Sequence, residues 1–242
     1  HDIEYLFPLT DLEIDVLDQN RTIFKQNGIV LCMPSSQTLA IARNKYVLYK
    51  TFKHDDLVPS ISTYLSGEVP MTLLPTIAKP YNGRSSEGLL RISTVKELEE
   101  ISKKSGYIFQ EMIEGPVFTV DYIRNSYTNK DFSIAREELI RTKNGAGTTV
   151  RMSNDILLKQ LVSHIGNTIH VNGCINMEFI QSKGKYYLID INPRFSAGVA
   201  FSRMVGYNMV LNHLNCFIAQ DIQDGILYQE QIITKRYWEE IL

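Results

Sequence analysis

The strongest chemical signal in the sequence is a short strand-like segment in which an acid, an amide and an arginine alternate with apolar residues. Asp190, Asn192 and Arg194 are each two positions apart, and a proline before the arginine ends the strand. Asp190 and Asn192 therefore share one face, whereas Ile189 and Ile191 are predicted to point into a core. Carboxylate and amide oxygens suit Mg²⁺, and a guanidinium suits phosphate or carboxylate oxygens. The pattern predicts a metal–phosphate site; the alternative is an edge strand whose polar face meets water.

Glu178 joins this polar face if the preceding strand, residues 174–180, pairs with it in the right register. The two strands are joined by the polar turn Ser182–Lys185, which is typical of a β-hairpin. A two-residue loop would pair Glu178 with Ile189 and send the two carboxylates to opposite faces. An odd loop or a bulge would pair Glu178 with Asp190. Opposed carboxylates repel each other unless they share a divalent cation, so we expect the odd loop or the bulge together with a metal.

Lys79 lies near the end of a predicted strand, residues 74–80, and is followed by the small polar loop 81–88. Backbone N–H groups in such a loop can cradle phosphate oxygens, and the lysine adds a point charge. No Gly-Lys-Ser/Thr opens a helix here, and the loop has no dinucleotide-binding glycine pattern. The prediction is a phosphate contact; the alternative is an ordinary surface turn.

Composition limits the classes of protein that the chain can belong to. It has 242 residues, of which 44% are hydrophobic and 21% charged, as in an ordinary globular protein of one or two domains. The net charge of −2 gives no reason to invoke nucleic acid or an anionic membrane. Cys32, Cys174 and Cys216 are widely spaced and odd in number, which predicts reduced thiols and a cytoplasmic location. The chain begins at His1, so we expect a missing native N-terminal portion or a tag remnant.

Capping signals and periodicity organise the remaining segments. Thr10 and Glu13 form a capping box that predicts a helix to about Lys25, and the apolar run 29–32 predicts a strand after it. Further helices are predicted from Ser35 or Ser36, over 44–52, after Thr94, after Ser153 or Asn154, and over 199–219. Further strands are predicted over 107–112, 118–123 and 132–134, and a mobile polar loop over 143–149.

In this order the segments resemble the ATP-grasp superfamily, in particular carbamoyl-phosphate synthetase large-subunit-like and carboxylate–amine ligase-like members, over about residues 2–240. The resemblance depends most on two segments: Asp190-x-Asn192-Pro193-Arg194 with Glu178 before it, and Ala78-Lys79-Pro80 with the loop after it. Lys45 and residues 110–115 support it more weakly. The resemblance implies an α/β fold with α+β lobes, an ATP-grasp fold with the remnant of a preceding α/β domain. Residues 1–35 would be that remnant. Residues 36–242 would be the ATP-grasp domain, with a small lobe over about 70–115 and a large lobe over about 116–242.

The resemblance also implies a role for each candidate residue. Phosphate contacts are implied for Lys45 and Lys79, with the loop that carries Gly83, Ser85, Ser86 and Gly88 folding over the phosphates. Adenine contacts are implied for Glu111, Met112 and Ile113. Binding of Mg²⁺ (or Mn²⁺) is implied for Glu178, Asp190 and Asn192. Catalysis is implied for Arg194 and Lys79, through stabilisation of the transferring phosphoryl group or of an acyl phosphate.

The activity that the resemblance implies is an ATP-dependent carboxylate–amine (or amino-acid) ligase. A carboxylate would attack the γ-phosphate of ATP, and an amine would then displace phosphate from the acyl phosphate. The implied partners are a small-molecule carboxylate and amine, with neither nucleic acid nor membrane, and a homo-oligomer stays open. Two alternatives remain: phosphorylation of bicarbonate or carbamate, as in synthetases built of two such units, and a nucleotide-binding module without turnover.

Several positions depart from the family pattern or have no assigned role in it. Relatives usually have Asp where this chain has Asn44, and most have Glu where Asp190 stands. A ribose-binding acid expected near Val117 is missing, which would move that role to Glu114 or Asp121. Around the glycine-containing loop, the candidates to bind the substrate carboxylate are Arg136, Arg141 and Arg151; a solvated hairpin is the alternative.

Overall fold

A computed structural model describes residues 2–83, 87–142 and 145–235 of the chain. Its helices are α1 (Asp11–Gln19), α2 (Arg21–Gln26), α3 (Ser36–Ala42), α4 (Lys45–Phe52), α5 (Val95–Ile101), α6 (Ile156–Thr168), α7 (Val199–Met204) and α8 (Met209–Asn215). Its strands are β1 (Tyr5–Leu6), β2 (Val30–Leu31), β3 (Thr63–Leu65), β4 (Thr76–Pro80), β5 (Leu90–Ile92), β6 (Tyr107–Glu111), β7 (Val117–Arg124), β8 (Asp131–Arg141), β9 (Gly147–Ser153), β10 (Gly173–Ser182), β11 (Lys185–Asn192) and β12 (Ile232–Thr234). The strands form three sheets of two, four and six strands.

The N-terminal segment pairs β1 with β2 in parallel and packs α1 against them. The capping box of α1 is present, because Thr10 and Glu13 each bond the other's backbone N–H. The single helix predicted to about Lys25 is wrong. It breaks at Asn20, whose side chain donates to the carbonyl of Val16 and whose backbone leaves helical geometry (φ −115°, ψ 14°). The side-chain amide thus competes with the helical ladder, and α2 begins one residue later.

The four-stranded sheet is antiparallel, in the order β3-β6-β4-β5. Helix α5 begins with the predicted capping box at Thr94 and packs Leu98 against Ala78 and Phe109 of the sheet. Strands β3 and β5, three residues each, were not predicted. Runs that short carry too few residues to establish a period of two, and only their pairing partners reveal them.

The six-stranded sheet is antiparallel, in the order β11-β10-β7-β8-β9-β12. Helix α6 covers one face, where Leu158 and Val162 belong to the same core as Val120 and Met177. Its N-cap is Asp155 instead of the predicted Ser153 or Asn154, because the Asp155 carboxylate accepts from the N–H of Leu158. Strand β9 takes up the end of the loop predicted over 143–149, of which residues 143 and 144 lie outside the described ranges.

The opposite face of the large sheet is only partly covered. The single helix predicted over 199–219 is wrong, because the chain leaves helical geometry at Gly206 (φ 104°) and forms α7 and α8 instead. These helices pack on Ile134 of β8 and Cys174 of β10. Alternate residues of a strand share a face. Further along β8 and β10, the residues on the same face as Ile134 and Cys174 are polar and line open clefts. The uncovered part of this face carries the candidate site.

Two global features bear on the class of protein. Within the ranges 2–83, 87–142 and 145–235, no helix combines the length and the apolar character needed to cross a bilayer. Cys32, Cys174 and Cys216 are buried free thiols. Burial raises the pKa of Cys32 to about 11 and that of Cys216 to about 12, so both stay protonated at neutral pH and unreactive.

Candidate functional site

A row of polar side chains crosses neighbouring strands of the large sheet. Glu178 of β10 is the direct cross-strand partner of Asp190 on β11, and on its other side it pairs with Thr119 of β7. Asn176 pairs in the same way with Asn192. The register predicted for the candidate metal-binding pair therefore holds.

The register is achieved by a bulge and not by an odd loop. The turn has two residues, Lys183 and Gly184, both with positive φ (50° and 74°), as in a type I′ hairpin. Such a turn alone would oppose Glu178 to Ile189. The register instead shifts between Glu178 and Phe179, which leaves Ile189 as the extra, unpaired residue of the bulge. The odd-loop form of the prediction is wrong, and the bulge form is right.

The bulge also corrects the prediction for Ile189. Ile191 is buried in the core as expected, with 1% of its surface exposed. Ile189 instead lines the clefts beside the polar row, and Leu188 packs against the core in its place. The carbonyl of Ile189 accepts a hydrogen bond from the Lys79 ammonium at 3.3 Å. The bulge thus supplies a backbone acceptor that fixes a lysine of the small sheet against the large one.

Lys45 connects the polar row to the candidate phosphate loop. Its ammonium lies 3.0 Å from Asp190 Oδ1 and donates to the carbonyl of Gly83 at 2.9 Å. It is the first residue of α4, whose N-cap is Asn44: the Asn44 side chain accepts from the N–H groups of residues 46 and 47. An asparagine caps a helix about as well as an aspartate, so the departure at Asn44 leaves the placement of Lys45 intact.

Lys79 lies between the two sheets, half-buried beside the carboxylates. Burial lowers its pKa to about 8, partly offset by Asp190 and Glu178 and reinforced by Lys45. An anionic partner stabilises the charged form of an ammonium that water solvates poorly. The electrostatics therefore suit a phosphate beside Lys79.

Glu178 and Asp190 are each held by a cation from another element. The Arg141 guanidinium lies 3.1 Å from Glu178 Oε2 and Lys45 lies beside Asp190. Burial raises the pKa of Glu178, which the nearby Arg141 partly counters and the like charge of Asp190 reinforces. Cations gather where two carboxylates stand opposed, because the pair alone is destabilising.

The oxygen donors of this row fit a hard divalent cation. Glu178, Asp190 and Asn192 offer two carboxylates and an amide, with waters or phosphate oxygens left to complete an octahedron around Mg²⁺. Asn192 donates through Nδ2 to Asn176 Oδ1, so its own Oδ1 is turned away from that contact. Across the described parts of the chain no group of three His, Cys, Asp or Glu could hold a metal, so the amide is a necessary member of the set.

Arg194 is held by a residue that sequence reasoning did not consider. Its Nε and Nη2 donate to the two carboxylate oxygens of Asp11 at 3.0 and 3.2 Å, and Nη2 also approaches Asn192 Oδ1 at 3.4 Å. Asp11 is the first residue of α1 and is buried. Arg43 adds a second cation 3.7 Å from Asp11. The N-terminal segment therefore sets the orientation of the candidate catalytic arginine.

A cleft of about 590 Å³ opens between the two large sheets. Lys79 and Glu178 lie at one side, and the chain that links β6 to β7 forms another wall. The predicted adenine-binding residues are in that wall, with aliphatic neighbours around them: Glu111, Met112, Ile113, Ile61, Ile77 and Ile180. Val117 and Glu114 line the same cleft. Asp121, the other candidate for a ribose contact, is fully buried, accepts from Arg136 and Ser202, and does not line this cleft.

A second cleft, of about 260 Å³, lies on the other side of Glu178 and Asp190. Among the arginines predicted to bind a carboxylate, Arg136 and Arg141 line it, together with Arg194. Arg151 does not; it is half-exposed and pairs with Glu137 at 2.7 Å. Arg136 is buried and donates to Asp121 at 2.8 Å and to Ser196 at 2.9 Å.

The structure describes only some of the residues of the predicted phosphate loop, 81–88. Gly83 lines a cleft with Lys45, Lys79 and Asp190, and Gly88 (φ 70°) lies at the far end of the loop. Ser85 and Ser86 lie outside the described residues. Sequence reasoning missed Glu138 and Asp11. The alternation of β8 contains a signal for Glu138, two residues after Arg136, whereas Asp11 is 183 positions from its partner and leaves no local signal.

Comparison with known proteins places this geometry in a family. A family model described as the ATP-grasp domain matches residues 42–198, more than half of the chain. Its matched range includes Lys45, Lys79 and the whole Glu178–Arg194 segment. No curated protein sequence matches the chain.

Solved structures share the fold at low sequence identity. Biotin carboxylase from Campylobacter jejuni, in complex with β-γ-ATP, superposes with a TM-score of 0.74 at 18% identity, covering 88% of this chain and 54% of that one. The biotin carboxylase domain dimer of Hydrogenobacter thermophilus 2-oxoglutarate carboxylase, with MgADP, ADP and bicarbonate, gives 0.74 at 17% identity over 92% and 55%. N5-carboxyaminoimidazole ribonucleotide synthetase from Thermotoga maritima gives 0.73 at 16% identity over 95% and 62%. The chain thus spans 54–62% of the length of these three proteins.

Proposed function

Because the chain belongs to the ATP-grasp family, we propose that it is an ATP-dependent ligase that joins a carboxylate to an amine through an acyl phosphate. One observation carries the proposal: Glu178 lines both clefts and stands opposite Asp190, which lines the second, with Lys79 and Lys45 beside them. This arrangement can bring the γ-phosphate of a nucleotide in one cleft to a carboxylate in the other.

The residues fit Mg-ATP in the larger cleft. Aliphatic side chains and the segment Glu111–Ile113 would hold the adenine, and Lys79 with Lys45 would contact the phosphates, beneath a loop that starts at Gly83. Glu178, Asp190 and Asn192 would hold the metal. When bound, Mg²⁺ supplies charge neutralisation at the phosphate oxygens.

The reaction follows from that placement. A carboxylate oxygen of the substrate attacks the γ-phosphorus, and the bond from phosphorus to the β–γ bridging oxygen breaks, which leaves ADP. The neutral amine then attacks the acyl carbon, and phosphate departs while the nitrogen loses a proton. Lys79 and Arg194 would stabilise the charge on the transferring oxygens, since positioning and electrostatics are the main catalytic devices in phosphoryl transfer.

We propose the domain division on the same basis. Residues 1–35 contain the parallel β1–β2 pair and most of a small core, to which Leu39 of α3 also belongs, and would be part of a preceding α/β domain. The remaining residues, 36–242, would form the ATP-grasp domain. Its small lobe, about 70–115, contains most of the four-stranded sheet, to which β3 adds an earlier strand. Its large lobe, about 116–242, contains the six-stranded sheet.

Phosphorylation of bicarbonate is the second candidate. It is favoured by the likeness to the carboxylase domain whose structure contains bicarbonate with MgADP. A module without turnover is the third, and it draws support from Asp190, which is one methylene shorter than the usual Glu.

Phosphate release from Mg-ATP tests the proposal. The assay combines amino acids and small carboxylates with amines, and includes bicarbonate as a separate arm. We expect magnesium-dependent release that needs a carboxylate and is lost in Asp190→Asn. Release with bicarbonate alone would select the second candidate. Mg-ATP binding without release in any arm would select the module.

A further inference from the structure

In the second cleft, one carboxylate has no cation aligned to hydrogen-bond with it. Each of its arginines has an aligned carboxylate: Arg136 has Asp121 at 2.8 Å, Arg141 has Glu178 at 3.1 Å and Arg194 has both oxygens of Asp11. Asp190 is matched in turn by Lys45. The carboxylate that remains is Glu138.

Glu138 lines this cleft with a side chain that is only 2% exposed. Its Oε1 lies 3.3 Å from Arg136 Nε, but that N–H is not aligned to donate, and Nε has no hydrogen-bond partner in the described chain. Glu138 Oε2 and Asp121 Oδ1 are likewise buried without one. Lys235, the other cation that acts on Glu138, is engaged with the carbonyl of Ala197 at 2.9 Å.

The strand opposite Glu138 leaves room for this carboxylate. A Cβ placed on Gly147 of β9 would stand 1.7 Å from Glu138 Oε2, so any side chain at position 147 would displace the carboxylate. A buried carboxylate without aligned donors is costly, because it has lost its water and gained little in return. A buried carboxylate that lacks hydrogen-bond donors points to a ligand that supplies them.

We propose that Glu138 binds the ammonium group of the substrate whose carboxylate is activated, so that this substrate is an amino acid. The inference rests on the proposed ligase function and specifies its substrate class. An ammonium has three N–H donors and a positive charge, whereas Glu138 has no donor at Oε2 and only the unaligned Arg136 Nε, at 3.3 Å, near Oε1. The same cleft is also lined by Asp190, Asn192 and Arg194, where the substrate carboxylate would meet the phosphoryl group.

The ammonium bound at Glu138 takes no covalent part in the reaction. It stays protonated, whereas the nitrogen that attacks the acyl phosphate belongs to the second substrate and must be neutral. Glu138 is thus a specificity-determining residue. It separates an amino acid from the carboxylic acid of the same carbon skeleton, because a site with an unmatched buried charge rejects the analogue that lacks its partner.

The first test needs no ligand. Thermal unfolding is compared for the native chain, Glu138→Gln and the control Glu137→Gln, whose carboxylate pairs with Arg151 at the surface. Removal of a buried charge that has no aligned hydrogen-bond donor should raise the Tm in Glu138→Gln by several degrees, with little change in the control. A lower Tm in Glu138→Gln would make it a structural partner of Arg136 and would overturn the proposal.

The second test measures ligand protection in the presence of MgADP. The probes are the twenty standard amino acids, ornithine and β-alanine, each beside its des-amino carboxylate, such as alanine beside propionate. We expect at least one amino acid to raise the Tm of the native chain and its des-amino analogue not to. Glu138→Gln and Gly147→Ala should weaken the binding of that amino acid at least tenfold, and Glu137→Gln should not.

The outcomes separate this inference from the proposed function. If MgADP protects the native chain but none of the amino acids does, or if amino acid and des-amino analogue protect equally, the ammonium subsite is overturned while the ligase proposal stands. If MgADP itself gives no protection, the proposed function fails first.

Discussion

Glu178 and Asp190 stand directly opposite each other on β10 and β11 because Ile189 is an extra residue in the second strand. Without the bulge, the two-residue turn would have put the carboxylates on opposite faces of the sheet. The same bulge turns the Ile189 carbonyl to Lys79. One irregularity thus brings the candidate metal ligands together and ties them to the candidate phosphate lysine.

Removal of the Lys79 ammonium should weaken nucleotide binding. Lys79→Ala is expected to raise the Kd of Mg-ATP tenfold or more, because a charge-assisted contact to phosphate contributes about 1.5–3 kcal/mol. Isothermal titration of the native and variant chains measures this. Lys53→Ala, at the exposed end of α4, is the control for loss of a surface lysine. Equal affinity in a folded Lys79→Ala protein would remove Lys79 from the phosphate site.

Nucleotide affinity should also depend on pH through the same residue. The pKa of Lys79 is lowered from 10.5 to about 8, so the ligand-free protein loses this charge as pH rises through 8. Above that pH, binding must restore a proton, and the affinity for Mg-ATP should fall about tenfold per pH unit. Titrations between pH 7 and about 9.5 follow the slope. The Mg-ATP affinity of Lys79→Ala should not change with pH over the same range. A native affinity that does not change with pH would contradict a phosphate contact by Lys79.

Asp11 should act on turnover through Arg194. Asp11→Asn removes the charge that orients the guanidinium and is expected to lower kcat with little effect on the KM for ATP. The same result is expected for Arg194→Lys, which loses the planar fork. Asp15→Asn is the control, since it breaks an ion pair of the same helix with Arg43 instead. If Asp11→Asn and Asp15→Asn change kcat equally, the effect belongs to the stability of α1 and not to Arg194.

The buried His213 should make the fold sensitive to mild acid. It accepts from the N–H of Cys174 at 2.7 Å and donates to the Cys32 carbonyl at 2.8 Å, and burial lowers its pKa from 6.5 to about 4. Below pH 6.5 the unfolded chain takes up a proton that the folded chain refuses. Stability is therefore expected to fall by about 3 kcal/mol between pH 6.5 and pH 4.

Urea unfolding at intervals across that pH window measures the loss. His213→Gln, which can still donate and accept, should be less stable at pH 7 but should lack the part of the decline between pH 6.5 and 5, where few carboxylates titrate. A decline of the same size in that interval in His213→Gln would assign the acid sensitivity to other groups.

Local patterns in the sequence predicted much of the fold and of the site. The capping boxes at Thr10 and Thr94 start the helices that they predict, and alternation put Asp190 and Asn192 on one face, whereas only the bulge at Ile189 brings Glu178 to that face. The breaks at Asn20 and Gly206 were missed because the apolar period continues across both. A competing side-chain bond and a left-handed backbone decide those positions.

The remainder depends on contacts between distant segments. The Asp11–Arg194 pair joins residues 183 positions apart, and the Ile189 carbonyl of the bulge accepts from Lys79, 110 positions away. Alternation along β8 puts Glu138 on the same face as Arg136, but its burial beside Gly147 of β9 follows only from the assembled sheet. Charge matching of this kind is a property of the assembled cleft, which no local period encodes.

The most direct test of the central claim follows oxygen from the substrate carboxylate. The carboxylate that best stimulates phosphate release is labelled with ¹⁸O and supplied with Mg-ATP and the amine, and the released phosphate is analysed by mass spectrometry. An acyl phosphate requires one labelled oxygen in each phosphate released, because the carboxylate oxygen that attacks the γ-phosphorus leaves with it. Unlabelled phosphate released in step with product would contradict the account.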